Sequence, residues 1–149
     1  LEVYPGAEEL VSFLHEAGAL VGIVSNKKHK FLVREVEHLG WDKYVSAVIG
    51  AGQAEEDKPS AAPLMKALEQ SAFAGDIQDV FYIGDTVTDM LVAENAGCRA
   101  ILVTNGEDKD ELIERFSPFS IVHGCEDLKT CLNDSIQHVV SKTKTCHQA

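Results

Sequence analysis

The 149-residue sequence predicts an α/β fold built on an open, mostly parallel sheet. Continuous apolar runs point to strands buried on both faces, among them "ALVGIVS" at 19–25, "VFYI" at 80–83 and "RAILV" at 99–103. The segments between them place apolar residues at helical spacing and stop at glycine. Strands and helices therefore alternate at the spacing of right-handed parallel crossovers, which put ligand sites at the carboxyl ends of the strands.

In chain order, 7–17 is predicted helical, with Leu10, Phe13, Leu14 and Ala17 on one face, Glu8 and Glu9 in the first turn and Gly18 as the stop. After the strand at 19–25, 28–39 reads as a helix burying Phe31, Leu32, Val36 and Leu39 and closed by Gly40. Trp41 and Tyr44 suit a hydrophobic anchor before a strand at 44–49. Pro59 keeps Lys58 on a loop, and Pro63 suits the first turn of a helix at 61–71. A strand at 80–83, a helix at 88–96 ended by Gly97, a strand at 99–103, a strand at 120–122 and a helix from 126 to about 140 complete the pattern. Residues 1–140 are expected to form one domain, and the polar end "SKTKTCHQA" at 141–149 is expected to fray.

Composition narrows the function. A hydrophobic content of 45% with only four prolines suits a packed globular domain. The net charge of −11 argues against a nucleic-acid or anionic-membrane surface, since both need clustered Lys and Arg, but it admits an anionic small molecule where positive charge is local. No apolar run is long enough to cross a bilayer and 1–20 carries no signal-peptide pattern, so the default expectation is the cytoplasm. Cys98, Cys125, Cys131 and Cys146 form no CxxC pair and no zinc spacing with His123 or His147, so reduced thiols are expected.

The strand ends carry the candidate chemistry: Ser25 and Asn26, Lys58, Asp85, and Thr104 with Asn105. Asp85 directly follows a buried strand, and Asp89 falls near the same face one helical turn later. Two carboxylates so placed suit a hard cation such as Mg²⁺, which is held by one or two carboxylates plus waters and phosphate. The same residues equally suit a helix cap at Asp85 or Thr86 with Asp89 as a first-turn acid. Lys58 would hold a phosphate as a point charge or merely balance Glu55, Glu56 and Asp57, and Ser25 with Asn26 would bind phosphate oxygens or simply end a strand. His15, His29 and His38 lie on predicted helices, where solvated or core-edge roles are expected.

In this order, Ser25 in "VGIVSN", Lys58 in "DKPS" and Asp85 with Asp89 in "YIGDTVTDM" resemble motifs two, three and four of the haloacid dehalogenase (HAD) superfamily. "YPGAEELVSFLHEAG" and "AENAGCRAILVTNG" agree, so the resemblance spans about 4–106, and 120–132 is similar to the family's closing strand and helix. Spacing and the "YPG" opening look most like the phosphoglycolate phosphatase group. The resemblance implies a three-layer, Rossmann-like core and Mg²⁺-dependent hydrolysis of a small phosphorylated metabolite. It assigns the metal to Asp85 and Asp89, and the phosphoryl oxygens to Lys58, Ser25 and Asn26.

The family's nucleophile, an aspartate in a DxDx(T/V) motif ending the first strand, has no counterpart here. Asp108-Lys109-Asp110 follows "TNGE" rather than a buried strand, and Asp76 and Asp79 precede a strand. The chain opens at Leu1 on the segment that follows the cap domain in relatives, which implies a core incomplete at its N-terminus. In relatives the absent strand lies between those beginning near Val21 and Val80, so the sheet is expected to be open at its centre and to need a complementing N-terminal segment. Two readings stand at this stage: a phosphatase acting through an aspartyl phosphate, and a catalytically silent phosphate-binding module of the same fold.

Overall fold

The computed structural model describes the backbone of residues 5–147 and side chains through residue 136. Tyr4 of the "YPG" opening lies outside the described residues. Helix α1 spans Ala7–Glu16, strand β1 Gly22–Lys28, α2 His29–His38, β2 Ala47–Ala51, α3 Ala62–Gln70, β3 Phe81–Gly84 and α4 Val87–Ala96. They are followed by β4 at Arg99–Val103, α5 at Asp110–Phe116, β5 at Ser120–Val122 and α6 at Cys125–His147. All strand pairs are parallel, as the alternation of elements predicts.

Helices cover both faces. The alternation along β4 sends Ile101 and Val103 to α1 and α6, where they meet Leu10, Leu14, Leu128 and Leu132. Ala100, with Val80 and Tyr82, meets the other side, where Leu64 of α3 and Val92 and Ala93 of α4 close the core. Helix α2 adds the buried Leu32 and Val36 and packs against β1 and β2, with Trp41 buried just beyond it. Each fully buried Leu or Ile contributes about 1.5–3 kcal/mol by leaving water, so these layers carry the fold.

The structure departs from the sequence reading in four places, and the first is β2, expected at 44–49 but formed by Ala47–Ala51 after a 3₁₀ turn at Trp41–Lys43. Strand β1 begins three residues later than the apolar run and continues to Lys28, because its pairing with β2 is irregular between Val24 and Lys28. There β1 advances from Val24 to Lys28 while β2 advances only from Ile49 to Ala51, so a bulge projects Ser25, Asn26 and Lys27 at the sheet's carboxyl edge. Helix α5 lies where the sequence reading placed no element: Leu112, Ile113 and Phe116 stand at helical spacing and are half-buried, but seven residues are too short a window for the period to stand out. Helix α6 runs on through His147, into the segment expected to fray; Gln148 and Ala149 lie outside the described residues.

The strands form two hydrogen-bonded groups, β1-β2 and β3-β4-β5, with no pairing between β1 and β3. A cavity of about 630 Å³ lies between them, bounded by Val21 and Val24 on one side, Phe81 and Ile83 on the other, and Leu64 and Leu132 from helices above and below. The opening falls between the two strands where the resemblance puts an additional strand. Among the described residues, no helix is long and apolar enough to cross a membrane.

Ile101 has no exposed surface and joins β4 to both α1 and α6. Ile101→Ala should lower unfolding free energy by about 2–5 kcal/mol in urea titration. A loss below about 1 kcal/mol would show that the core is not organised around β4.

Candidate active site

The site begins with the glycine before Asp85. A Cβ added at Gly84 would lie 2.3 Å from Asp89 Cβ, Cγ and Oδ2, so only glycine lets the end of β3 pass under that carboxylate. Thr86 then caps α4 in a reciprocal box: its Oγ1 accepts the Asp89 N–H at 3.3 Å, and Asp89 Oδ2 accepts the Thr86 N–H at 3.3 Å. Such a cap is worth about 1 kcal/mol. Asp89 Oδ2 also accepts the Asp85 N–H at 3.1 Å and the Thr86 hydroxyl at 3.0 Å.

The other oxygen of Asp89 holds Lys58. Nζ donates to Oδ1 at 2.6 Å, and the two side chains are only 13% and 10% exposed. Pairing this deep is costly to break, because either partner alone would be a buried, uncompensated charge. The lysine backbone is fixed just as closely: Asn26 Oδ1 accepts the Lys58 N–H at 3.1 Å while Asn26 Nδ2 donates to the Lys58 carbonyl at 3.2 Å. Asn95 Nδ2, from the far end of α4, donates to the Pro59 carbonyl at 2.9 Å. The Tyr82 ring lies 5.9 Å from Nζ and adds a cation–π contact.

Two groups at this mouth keep free valence. The Asp85 carboxylate, half-buried, has no hydrogen bond or ion pair among the described residues, although its N–H is held by Asp89 and its carbonyl accepts Lys109 Nζ at 3.0 Å. The Ser25 hydroxyl accepts the Lys27 N–H at 3.1 Å, which leaves its own proton to donate.

A hydrogen-bonded chain thus joins Asn26, Lys58, Asp89 and Asp85, and Ser25 stands beside Asn26 in the bulge. The roles differ in detail from those expected. Asp89 is not a solvated first-turn acid: Oδ2 accepts three hydrogen bonds and Oδ1 accepts Lys58, so this carboxylate positions its neighbours beside Asp85. The Asn26 side chain is spent on the Lys58 backbone. Thr104 is buried, with its hydroxyl 3.1 Å from His123 Nδ1, and Asn105 turns the chain at φ 52°; neither bonds to the Lys58–Asp89 pair. His29 Nδ1 accepts the Gly50 N–H at 3.1 Å, while His15 and His38 are exposed.

Sequence reasoning missed Tyr82, Asn95 and Lys109. Tyr82 and Asn95 give no signal in one dimension, whereas Lys109 sits immediately before α5, where the helix dipole disfavours a cation.

The donor set fits a magnesium ion only in part. Asp85 offers a hard carboxylate oxygen on a rigid peptide, which suits an ion that keeps waters and takes few protein ligands. Among the described residues no cluster of three or more acidic, His or Cys side chains completes a metal cage.

The fold and the site together define a class: an open parallel α/β core with a clamped lysine and an acidic helix start at its carboxyl edge. The chain belongs to the haloacid dehalogenase-like hydrolases, whose family model it matches over residues 1–103. It is 30% identical over 130 residues to the phosphoglycolate phosphatase of Escherichia coli K12, covering 87% of this chain and 51% of that protein. It is 24% identical to phosphoglycolate phosphatase 1 of Pseudomonas aeruginosa, covering 93% and 50%. The chain therefore spans about half the length of the curated relatives it matches. Among solved structures, a HAD-superfamily hydrolase from Ehrlichia chaffeensis superposes with a TM-score of 0.77 at 28% identity, covering 91% of this chain and 60% of that one. A phosphonoacetaldehyde hydrolase-like protein from Oleispira antarctica, at 14% identity and TM-score 0.73 with 91% and 58% covered, shares the fold.

Burial, and then the Asp89 carboxylate, push the Tyr82 hydroxyl above its ordinary value of 10.0; burial likewise raises the Cys98 thiol above 9.0. The native state therefore keeps protons that the unfolded chain releases at alkaline pH, so this stability is present below about pH 9 and is lost as pH rises further. Denaturant titrations from pH 8 to 11 should show this decline, and Tyr82→Phe should flatten its part above about pH 10. An unchanged slope in Tyr82→Phe would remove Tyr82 as its source.

Proposed function

We propose that this chain is the phosphate- and metal-holding core of a Mg²⁺-dependent phosphomonoesterase acting on a small phosphorylated metabolite of the phosphoglycolate kind. One observation carries the reading: an Asp85 carboxylate without a partner among the described residues and a buried, positioned Lys58 are joined through the single carboxylate of Asp89. Lys58 Nζ would neutralise phosphoryl oxygens as charge develops, with Asp89 and Asn26 preventing its retreat. The Ser25 hydroxyl would donate its proton to a phosphoryl oxygen. A Mg²⁺ held by Asp85, when bound, would supply further positive charge to the phosphoryl group.

The attacking carboxylate would come from a complementing strand seated in the opening between β1 and β3. Its oxygen forms a bond to phosphorus as the phosphorus–oxygen bond to the alcohol breaks, and a second carboxylic acid of that segment protonates the departing oxygen. Water, deprotonated by that same carboxylate, then attacks the aspartyl phosphate, releasing inorganic phosphate and restoring the nucleophile. The apolar lining of the opening and the parallel direction of both flanking strands support such an occupant. A catalytically silent phosphate-binding module is the second reading: the Lys58 ammonium and the Ser25 hydroxyl proton are positioned donors for an anion, and binding by them needs no turnover.

In the full-length protein, Asp85→Ala should abolish Mg²⁺-dependent release of phosphate from phosphoglycolate, and retained turnover would reject the assignment. Lys58→Ala should lower kcat by about two orders of magnitude or more. A rise in KM alone would make Lys58 a binding residue only. Binding without turnover in the full-length wild type would select the silent module.

The occupant of the opening is tested separately. An extended apolar peptide ending in aspartate, added to this chain, should slow amide exchange along the β1 and β3 edges that face each other. Unchanged exchange at saturating peptide would reject a strand there.

A further inference from the structure

We propose that Lys109 is a positioning residue for Asp85, setting the direction of an acidic group that has no hydrogen bond or ion pair to its carboxylate among the described residues. This deepens the proposed function and rests on that reading. The peptide plane between Asp85 and Thr86 is gripped at both ends: Lys109 Nζ donates to the Asp85 carbonyl at 3.0 Å, and Asp89 Oδ2 accepts the Thr86 N–H at 3.3 Å. The preceding plane is held by the Asp85 N–H on the same Asp89 oxygen at 3.1 Å. With both planes fixed, the Cα–Cβ bond of Asp85 has one direction, which confines its carboxylate to the few staggered positions about that bond.

The position of Lys109 has no sufficient local cause. It is the residue before α5, where the positive end of the helix disfavours a cation and Asp110 and Glu111 are the expected occupants of the first turn. Its ion pair with Glu107, at 3.0 Å, involves a partner that is 70% exposed, and such pairs hold a side chain weakly. The lysine side chain is nevertheless only 18% exposed. The loop is shaped to deliver it: Asn105 and Gly106 take φ of 52° and 81°, and the Glu107 N–H closes a turn onto the Thr104 carbonyl at 2.9 Å. A local preference is overridden here to place an ammonium against the Asp85 carbonyl, as happens where a site must be rigid.

Two readouts test this, one of them independent of activity. In this chain without metal, Lys109→Met should accelerate exchange of the Thr86 amide about tenfold, while Lys109→Arg, which keeps a charged donor, should stay near wild type. In the full-length enzyme, Lys109→Met should raise the Mg²⁺ concentration for half-maximal activity by about tenfold, the usual scale for residues that orient a metal ligand. The substrate KM at saturating Mg²⁺ should not change, and Lys109→Arg should restore the Mg²⁺ response. Unchanged Thr86 exchange in Lys109→Met overturns the proposal, as does a raised substrate KM with an unchanged Mg²⁺ response, which would make Lys109 a substrate contact. If the full-length wild type proves to have no Mg²⁺-dependent phosphatase activity, the functional reading fails, and the Thr86 exchange alone decides whether Lys109 positions Asp85.

Discussion

The carboxylate of Asp89 is the group on which the rest of the site depends. It is buried, where a lone carboxylate would cost several kcal/mol, and four donors converge on it. Its place in the first turn of α4 adds the favourable field of the helix N-terminus. In return, that single anion starts a helix, fixes the peptide of Asp85 and draws the Lys58 ammonium into the protein. The space it needs explains Gly84: any side chain there would overlap the carboxylate.

The strand-end loops are consequently rigid in a specific way. Asn26 grips both backbone polar groups of Lys58, and Asn95 grips the next carbonyl from the opposite end of the helix that begins beside Asp89. Polar side chains that might have served as ligands are used instead to hold backbone. Two groups keep unused capacity at the mouth, the Asp85 carboxylate and the Ser25 hydroxyl proton. For the proposed phosphoryl chemistry, holding a few reactive atoms still is worth more than adding ligands.

The same carboxyl edge is split by the opening between β1 and β3. The two strand groups are joined by helix packing rather than by a continuous ladder of hydrogen bonds, since α3 packs on β1 and β2 and lies against α4. Unpaired parallel edges flanking an apolar cavity invite an extended segment, because pairing would satisfy backbone groups and remove apolar surface from water at once. Lys58 with Asp89 and Pro59 with Asn95 bridge the opening from the loop beyond β2 to α4, so polar contacts at the candidate site help to join the two halves.

The α/β class, the parallel direction of the strands and the family were legible in the sequence alone, because apolar runs and helical periods are written locally and the ordered motifs around Ser25, Lys58 and Asp85 keep their spacing. The candidate positions were legible too, since a polar residue directly after a buried strand has nowhere to lie but the carboxyl edge. What each side chain does there was decided by tertiary structure. Asp89 became a positioning hub because Lys58, 31 residues away in the chain, comes within 2.6 Å. Asn26 became a clasp because the bulge in β1 turns it toward the Lys58 backbone, and Lys109 joined the site because a left-handed turn at Asn105 and Gly106 brings it back. Hydrogen bonds between residues distant in sequence leave no period or local preference to read, so partners could be fixed only when the fold brought them together.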